Sequence, residues 1–381
     1  MKELLNDRTI IITCGGTAGH IYPAVNLKEE WKKRYNRSHV LFVGSFYGME
    51  RTFFAKYQLH YYLLKTRGLA EKKFTDKVSA VFLLMQSLGV SFGILKKYSP
   101  AIVVGAGGYA SGSMCLAAAL KGIPILLMEQ NYTLGLANKY LLPFAKGVAI
   151  GLPNPEYMKK KKFRYTGNPI RKEFIEGDWT YEPIRDGRFS VLAFGGSQGS
   201  HNINNHMVDS LPMLKERKND IFIMHQTGLR DYLNTKEYYR QEGIMSDVQS
   251  YFEHIYDNYR RASLIICRAG ATTISEIIAT GRPAILMPLM IAGKAHQYPN
   301  AFFMESNNLA WILDERKVRT RNFVRAILHA MNHPEELSAM SEKMKKFAKP
   351  NAAADIADWA VEIVSEKYKQ DGLEDRGEED D

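Results

Sequence analysis

Short apolar runs alternate along this chain with longer stretches in which apolar and polar residues recur at helical spacing. Continuous apolar runs of about four to eight residues between helix-length segments are typical of strands that are buried on both faces of a parallel sheet. The runs that predict strands are 9–13, 39–44, 101–108, 123–128, 189–196, 221–228, 264–270 and 283–288. The chain is therefore predicted to be an α/β protein with parallel sheets.

Two of these runs lead into the same glycine-rich sequence. IIITCGGTAGH (10–20) and SVLAFGGSQGS (190–200) share an apolar strand, then Gly-Gly-Ser/Thr-x-Gly, then a residue that opens a helix, and they lie 180 residues apart. This repeat and the length of the chain predict two doubly wound domains, with a boundary near 165–174, where Asn-Pro breaks regular structure. Ligands of such sheets bind at the carboxyl ends of strands, so we expect both glycine loops to face a cleft between the domains.

Charge and cysteine content narrow the classes of partner and compartment. The formal net charge is +10, and the last eleven residues hold seven acids against one arginine, which leaves about +16 on the rest. A basic body is typical of proteins that bind nucleic acid, anionic lipid or phosphorylated small molecules. No nucleic acid is expected as a partner, because the positive charges are dispersed and no nucleic-acid-binding motif is present. The three cysteines lack metal-pair spacing, and the first residues lack a basic and apolar leader, so we expect a cytoplasmic protein.

Each glycine loop has the general form of a phosphate site, because backbone N–H groups at the start of a helix can approach an anion closely. Neither loop has the dinucleotide fingerprint or the Gly-Lys-Ser/Thr of a nucleotide-hydrolysing P-loop, so a turn that merely packs closely is an open alternative. His20 closes the first loop at a helix start, where the dipole disfavours the imidazolium and leaves a ring that can accept a proton. By spacing alone, His20 is either a general base or a structural histidine.

A third glycine-containing turn leads into a helix within 267–288. Glu276 on this helix can accept hydrogen bonds from ribose hydroxyls, or it can be a solvated helical glutamate. His296, Gln297 and Asn300 then offer polar groups suited to sugar hydroxyls. No Asp-x-Asp occurs and no cluster of His, Cys and Asp is recognised as having metal-ligand spacing, so neither a metal nor another cofactor is expected.

Residues 78–95 form an uncharged stretch flanked by lysines on both sides. The stretch is near the lower limit for a membrane span, but its glycines and hydroxyl residues fit better with a half-buried helix. An apolar end of such a helix can dip into an anionic membrane surface. A helix of the core and a true span are the alternatives.

Taken together, these motifs resemble the MurG family, the bacterial UDP-N-acetylglucosamine (UDP-GlcNAc) transferases of peptidoglycan synthesis. The resemblance spans nearly the full chain and follows the family's order. It rests on GGTAGHIYPA (15–24), GAGGYASGS (105–113), EQNYTLGLANKYL (129–141), TGNPIR (166–171), GGSQGS (195–200), RAGATTISEI (268–277) and HQYPNA (296–301).

The resemblance implies a GT-B fold, in which two Rossmann-like, doubly wound parallel-sheet domains face a cleft. Residues 1–167 are then the acceptor and membrane-associating domain, with a helix at about 350–368 packing back on it. Residues 168–349 are the UDP-GlcNAc donor domain, and 369–381 are an acidic, disordered tail.

The implied reaction is a metal-independent, inverting transfer of GlcNAc from UDP-GlcNAc to the 4-hydroxyl of the MurNAc residue of lipid I, which is undecaprenyl-pyrophosphoryl-MurNAc-pentapeptide. The product is lipid II, the precursor of peptidoglycan, which links the activity to cell-wall biogenesis, cell shape and cell division. The implied location is peripheral, at the cytoplasmic face of the cell membrane, with the anionic membrane surface as a partner.

The resemblance also assigns donor-binding residues. The backbone at Gly196 and the side chain of Ser197 meet the diphosphate, the backbone at Phe252 meets uracil, and Arg171 lies near the nucleotide. Gln297 and Asn300 read the hydroxyls of GlcNAc. The residues of the third turn that meet sugar and ribose are Ala271, Thr272, Thr273, Ile274, Ser275 and Glu276.

On the acceptor side, His20 becomes the implied general base for the attacking hydroxyl. The residues placed around the cleft, where UDP-GlcNAc or the acceptor binds, are Thr17, Ala18, Gly19, Tyr109, Ser111 and Asn131. Three positions depart from the family's pattern. Ala18 replaces a glycine, Met128 replaces the histidine before Glu-Gln-Asn, and Ser113 stands near an expected proline. A methyl group at Ala18 narrows the acceptor pyrophosphate site or requires a backbone conformation that alanine can adopt.

Three other interpretations stay open. Another GT-B glycosyltransferase retains the donor site and uses a different membrane lipid, such as diacylglycerol. A non-hydrolysing UDP-sugar epimerase turns over the donor with no acceptor present. A catalytically silent sensor or scaffold at the membrane binds the nucleotide sugar and transfers nothing.

Overall fold

In a computed structural model, the chain divides into two compact units, each built around one parallel sheet. The structure describes residue 5 and residues 7–66, 74–196, 198–290 and 296–371, and within 74–82 it describes only the backbone. Unit 1 comprises Met1–Arg171 and Lys349–Asp381, and unit 2 comprises Lys172–Ala348. Ser197 and the predicted acidic tail beyond residue 371 lie outside the described residues.

Unit 1 contains a seven-stranded sheet in the order β3-β2-β1-β4-β5-β6-β7, with every pair parallel. Its strands are β1 (Thr9–Thr13), β2 (His39–Ser45), β3 (Tyr61–Leu64), β4 (Ile102–Gly105), β5 (Ile125–Glu129), β6 (Gly147–Ile150) and β7 (Phe163–Tyr165). The helices of unit 1 that precede unit 2 in the sequence are α1 (Ala18–Arg34), α2 (Glu50–Lys56), α3 (Phe74–Tyr98), α4 (Tyr109–Leu120), α5 (Leu136–Leu141) and α6 (Pro155–Met158). The continuous apolar runs become central strands because helices cover both faces of the sheet.

Unit 2 repeats this plan with six parallel strands in the order β10-β9-β8-β11-β12-β13. The strands are β8 (Phe189–Phe194), β9 (Ile221–Gln226), β10 (Ser246–Gln249), β11 (Leu264–Cys267), β12 (Ala284–Leu286) and β13 (Trp311–Ile312). The helices are α7 (His201–Leu214), α8 (Tyr232–Glu242), α9 (Ile255–Arg261), α10 (Ala271–Thr280), α11 (Gln297–Ser306), α12 (Thr320–Asn332) and α13 (Pro334–Lys345).

Both sheets have a topological switch point, where the strand order reverses. In unit 1, Ile10 of β1 is in register with Val40 of β2 on one side and with Ile102 of β4 on the other. In unit 2, Val191 of β8 likewise stands between Ile223 of β9 and Leu264 of β11. The loops that leave the two central strands of each sheet therefore lie side by side at its carboxyl edge, where such folds bind ligands.

The last described helix, α14 (Ala352–Gln370), returns to unit 1 and completes its core. It packs on α1, and its apolar face includes Ile356, Trp359 and Ile363, all of which are buried with the residues of β1 and β4. A Cβ atom on Gly147 would lie 2.3 Å from the ring of Trp359. Glycine in β6 therefore makes room for this indole.

Helix α3 contains the uncharged stretch 78–95, and from residue 83 onward its side chains are described. Ile94 and Leu95 are buried against the sheet, whereas Met85 and Val90 are exposed, so this part of the helix is half-buried as predicted. Ser87 donates a hydrogen bond of 3.2 Å to the carbonyl of Lys65. Within the described parts of the chain, no helix combines the length and the apolar character that crossing a bilayer requires.

Candidate functional site

The first glycine loop connects the end of β1 to the start of α1 in unit 1. Thr17 is the N-cap residue of α1, and His20 lies in the first turn with its side chain half-buried. Gly16 has a φ of +91°, a left-handed conformation that glycine adopts without strain. The loop thus presents the first backbone N–H groups of α1, and His20 beside them, at the carboxyl edge of the sheet.

The buried carboxylate of Glu50 fixes the backbone of this loop. Oε1 of Glu50 accepts a hydrogen bond of 2.8 Å from the backbone N–H of Gly16 and one of 3.1 Å from that of Ser45. A Cβ atom on Gly15 would lie 2.4 Å from the same oxygen, so only glycine fits there. Because Glu50 occupies the Gly16 N–H, an anion at this loop has to bind the N–H groups that follow it.

Gln130 determines which nitrogen of His20 can act as a base. Its Nε2 donates 3.1 Å to the carbonyl of Ala106, which leaves Oε1 facing Nδ1 of His20 at 3.0 Å. An amide oxygen only accepts, so the proton of a neutral His20 ring lies on Nδ1. The lone pair is therefore on Nε2, and the ring is oriented in the way that a catalytic base requires.

The loop after β4 packs directly against the histidine. A Cβ atom on Gly107, whose φ is +97°, would lie 2.6 Å from Nδ1 of His20. A Cβ atom on Gly108 would lie 2.2 Å from the carbonyl oxygen of Gly15. The glycines of the two neighbouring loops therefore allow a backbone approach that fixes the position of the imidazole.

The other residues predicted around the acceptor occupy different positions within unit 1. Thr17 and Tyr109 are exposed, and Ala18 and Gly19 are half-buried in the first turn of α1. Ser111 is fully buried, and its hydroxyl lies 2.8 Å from the carbonyl of Thr13 and 2.7 Å from that of Gly107. Its side chain therefore ties α4 to the ends of β1 and β4 from behind the loops.

Asn131 belongs to a loop that one carboxylate organises. Glu129, which is buried at the end of β5, accepts hydrogen bonds of 3.0 Å from both the backbone N–H and the side-chain amide of Asn131. The same carboxylate accepts from the backbone N–H of Gly135 and from the amide of Asn138. Glu129 thereby fixes the segment that carries Gln130 and Asn131.

In unit 2, the second glycine loop connects β8 to α7. Gly196 has a φ of +94°, and Ser200 is the N-cap of α7, its hydroxyl accepting from the N–H of Ile203 at 3.4 Å. The side chain of Arg268, just after β11, donates 2.6 Å to this hydroxyl and is paired with the buried Glu315. The start of α7 is thus fixed from the neighbouring loop at the switch point.

Gln226, at the end of β9, links two of the predicted donor subsites. Its side chain is buried, Nε2 donates 2.9 Å to the carbonyl of Gly196, and Oε1 accepts 2.8 Å from the N–H of Phe252. The predicted diphosphate loop and the predicted uracil segment are therefore held by one amide. The N–H of Phe252 is occupied by Gln226, which leaves its carbonyl as the backbone group for a base.

A buried histidine lies behind the same loop. Nδ1 of His225 faces the hydroxyl of Tyr239 at 3.2 Å, and Nε2 faces Oδ1 of Asn204 at 3.1 Å. The amide nitrogen of Asn204 donates to Thr227 and Asp231, so Nε2 of His225 donates to Oδ1 and Nδ1 accepts from Tyr239. Burial lowers the pKa of His225 to about 3.

The third predicted turn begins α10, whose first turn contains no acidic residue. This helix start follows β11 as α7 follows β8, so two helix N-termini open from adjacent strands. Thr272, Thr273 and Ser275 are half-buried on α10, whereas Glu276 is mostly buried. Ala271 and Ile274 are buried against the sheet.

Two further predicted donor residues make hydrogen bonds to the backbone of the loops at the carboxyl edge of this sheet. Oε1 of Gln297 accepts 2.9 Å from the N–H of Leu289, and Nδ2 of the buried Asn300 donates 3.1 Å to the carbonyl of Ala269. Arg171, in contrast, belongs to unit 1, where its guanidinium lies 5.7 Å from the ring centroid of Tyr22.

The two units match the two domain models of one protein family. A family model described as the glycosyltransferase family 28 N-terminal domain matches residues 10–150, and the C-terminal domain model of the same family matches residues 190–356. A relative from Myxococcus xanthus is 34% identical over 96% of this chain and 95% of its own. A second, from Thermodesulfovibrio yellowstonii, is 35% identical over 94% of this chain and 99% of its own. Both are named UDP-N-acetylglucosamine--N-acetylmuramyl-(pentapeptide) pyrophosphoryl-undecaprenol N-acetylglucosamine transferase.

The chain belongs to the MurG family of glycosyltransferases. The crystal structure of MurG from Acinetobacter baumannii has a TM-score of 0.79 and 26% identity, covering 93% of this chain and 99% of that one. A UDP-GlcNAc 2-epimerase from Neisseria meningitidis has a TM-score of 0.61 at 14% identity, covering 94% of this chain and 100% of its own, which is a likeness of fold alone. The predicted α/β class and GT-B fold are confirmed.

The three departures from the MurG-family pattern have structural explanations. Ala18 is the first residue of α1, a position that alanine occupies without strain. Met128 is buried in the core beside β6, and Ser113 is buried within α4. The hydrogen bond between His20 and Gln130 is present in the chain that carries all three residues.

Five residues fix the conformation of the two glycine loops and of the segments beside them, but none of them was assigned a role from the sequence alone. They are Glu50, Glu129, Gln130, Gln226 and Arg268. Gln130, Glu129 and Arg268 lie inside the quoted MurG-family motifs, and Gln226 directly precedes a Thr-Gly pair at a strand end. A polar residue at the end of an otherwise apolar strand is the feature from which Glu129 and Gln226 could have been predicted.

Proposed function

We propose that this chain transfers GlcNAc from UDP-GlcNAc to the 4-hydroxyl of the MurNAc residue of lipid I, with inversion, and so forms lipid II. The observation that carries the proposal is identity of about a third, over nearly the whole length, with relatives named for this transfer. The chemistry that each unit offers supports the same reaction.

In unit 1, His20 is proposed as the general base. Its Nε2 takes the proton from the attacking hydroxyl while that oxygen forms the new bond to C1 of GlcNAc. The bond between C1 and the diphosphate oxygen breaks, and UDP departs with the electron pair. Gln130 supports this role because it keeps the proton on Nδ1 and the lone pair on Nε2.

In unit 2, two helix starts are proposed to receive the charge that develops on UDP. The N-termini of α7 and α10 carry partial positive charge. Gly196 and Ser197 are assigned to the diphosphate, the carbonyl of Phe252 to uracil, and Glu276 to ribose. Gln297 and Asn300 are assigned to GlcNAc, and the helix dipoles take the part that a metal ion plays in enzymes with an Asp-x-Asp motif.

The protein is proposed to act peripherally at the cytoplasmic face of the cell membrane. Exposed Met85 and Val90 on α3, followed by Lys96 and Lys97, offer apolar and cationic groups on one helix. Such a combination suits an anionic membrane surface and an acceptor whose lipid stays in the bilayer. Through lipid II, the activity serves peptidoglycan synthesis, and hence cell shape and division.

The test is transfer of labelled GlcNAc to a lipid I analogue in the presence of EDTA. The purified chain is compared with His20→Ala and with His39→Ala, which removes an exposed histidine from the same unit. We expect transfer by the wild type and by His39→Ala, and a loss of at least about a hundredfold in His20→Ala.

Other outcomes refute distinct parts of the proposal. Transfer that survives in His20→Ala assigns the base elsewhere. Binding of UDP-GlcNAc without transfer to lipid I, or turnover of the donor with no acceptor, refutes the activity. Transfer that EDTA abolishes refutes the role given to the helix dipoles.

A further inference from the structure

Two consecutive helices of unit 2 bring together two histidines and a glutamate, none of which is assigned to the donor. His329 lies in the last turn of α12, His333 follows that helix, and Glu336 lies in the first turn of α13. One ligand atom from each side chain lies within 4.8 Å of the others. The sequence analysis recognised no metal-ligand spacing, yet His-x3-His-x2-Glu is such a pattern once a helix places residues i and i+4 on one face.

One hydrogen bond holds the side chain of His333 in a state that suits a metal ion. Nδ1 of His333 lies 2.9 Å from the carbonyl oxygen of His329, so it donates, and a neutral ring then has its lone pair on Nε2. A histidine that binds metal commonly has its other nitrogen fixed in this way. Nε2 of His329 lies 3.1 Å from Oε2 of Glu336, so it donates to the carboxylate, and a metal ion that binds there displaces this proton to solvent or to Nδ1.

We propose that His329, His333 and Glu336 form a Zn²⁺ site that fastens the end of α12 to the start of α13. Zinc bonds to nitrogen and oxygen are about 2.0–2.2 Å long, so tetrahedral ligands lie roughly 3.3 Å apart. His329 and Glu336 already have this separation. The ring of His333 stacks on that of His329 with centroids 4.1 Å apart and planes at 28°. The three ligand atoms lie within 4.8 Å of one another, so the ligand nitrogen of His333 has to move closer to the other two to reach the separation of roughly 3.3 Å.

The ligand set indicates the class of ion. Two imidazoles and one carboxylate suit Zn²⁺ and other borderline transition metals better than Mg²⁺ or Ca²⁺, which prefer oxygen ligands. His329 and Glu336 are exposed and His333 is half-buried, so solvent can supply the remaining ligand. Bound zinc is expected to stabilise unit 2 by mass action, because the unfolded chain does not hold the three groups together.

The experiment uses the full chain with any affinity tag removed. Trp311 reports on the site, because its ring centroid lies 5.5 Å from that of His329 and bound Cu²⁺ quenches a nearby indole. Titration with Cu²⁺ should quench one component of the tryptophan emission at one equivalent, and Zn²⁺ should restore it by competition. Trp311→Phe should remove that component while leaving one equivalent of Zn²⁺ bound in equilibrium dialysis.

His329→Asn and Glu336→Gln should each weaken Zn²⁺ binding at least about tenfold. His254→Asn, which removes an exposed histidine elsewhere in unit 2, should leave binding unchanged. Zinc should also raise the melting temperature of the wild type and of His254→Asn, but not that of Glu336→Gln. Zinc binding that is not saturable, or that survives both His329→Asn and Glu336→Gln, would overturn the proposal, whatever the outcome of the transferase assay.

Discussion

Replacing Gln130 by leucine tests whether His20 acts through an oriented ring. Gln130→Leu keeps the approximate size of the side chain but removes both its hydrogen bond to Nδ1 of His20 and its hydrogen bond to Ala106. A neutral hydrogen bond contributes about 1 kcal/mol, which corresponds to roughly a fivefold preference for the productive tautomer. Freedom of the ring adds to this loss, so we expect kcat to fall about ten- to a hundredfold.

The assay is GlcNAc transfer to a lipid I analogue at saturating donor, with KM for UDP-GlcNAc measured in parallel. KM should stay near the wild-type value, because Gln130 belongs to unit 1 and the assigned donor residues other than Arg171 belong to unit 2. Gln370→Leu, which makes the same exchange at an exposed position of α14, is the matched control. Gln130→Glu retains an acceptor for Nδ1–H and should recover part of the lost rate.

A spectroscopic measurement separates orientation from a general loss of structure. In ¹⁵N spectra of histidine-labelled protein, neutral His20 should carry its proton on Nδ1 in the wild type and should populate both neutral tautomers in Gln130→Leu. If kcat of Gln130→Leu stays within about twofold of wild type while His20→Ala is inactive, the reasoning is refuted. The ring would then be positioned by the glycine loops alone.

Three further predictions concern the donor loop, acid stability and the histidine pocket. Gln226→Leu should weaken UDP binding about tenfold in calorimetry, because it removes the hydrogen-bond partner of the Gly196 carbonyl and of the Phe252 N–H. The exposed Gln241→Leu is the control, and equal affinities of the two variants would contradict the role given to Gln226. Burial lowers the pKa of His225 to about 3, so unfolding takes up a proton below about pH 6.5. The free energy of unfolding of the wild type should therefore fall by roughly 2 kcal/mol between pH 7.5 and pH 5 because of this one group. Urea unfolding at both pH values should show a smaller loss in His225→Gln than in the wild type. Equal losses in the two proteins would refute the role given to His225. Gly107→Ala should reduce transfer more than tenfold, because its Cβ would contact His20 too closely and its φ would be strained. Gly112→Ala is the control, since its Cβ would meet no atom within 4 Å and transfer should stay unchanged. Equal activity of the two variants would count against the close approach of Gly107 to His20.

The sequence predicted the sheets well because burial on both faces leaves a continuous apolar signal. The runs at 9–13, 101–108 and 189–196 contain β1, β4 and β8, the strands of the two switch points. Five strands were missed. The internal strand β6 is buried but only four residues long, and β3, β7, β10 and β13 are edge strands. Their residues are partly polar or few in number, since one side of an edge strand lacks a neighbouring strand.

The candidate site was predicted only in part, and the reason is physical. His20 and Gly196 stand in local motifs that a sequence displays directly. The partners of these residues are distant in the chain, since Gln130 lies 110 residues from His20 and Gln226 lies 30 residues from Gly196. Sequence alone also could not show that Ser111 turns inward, because that depends on the packing of α4 against β1.

The return of α14 to unit 1 has a consequence for biosynthesis. The first 171 residues leave the ribosome without the helix that covers α1 and the indole that fills the space at Gly147. At about 5–20 residues per second, unit 2 takes roughly ten to forty seconds to synthesise before that helix emerges. During that interval unit 1 exposes an apolar surface, so we expect the nascent chain to depend on chaperones and the inserted unit to mature before the unit that surrounds it in the sequence.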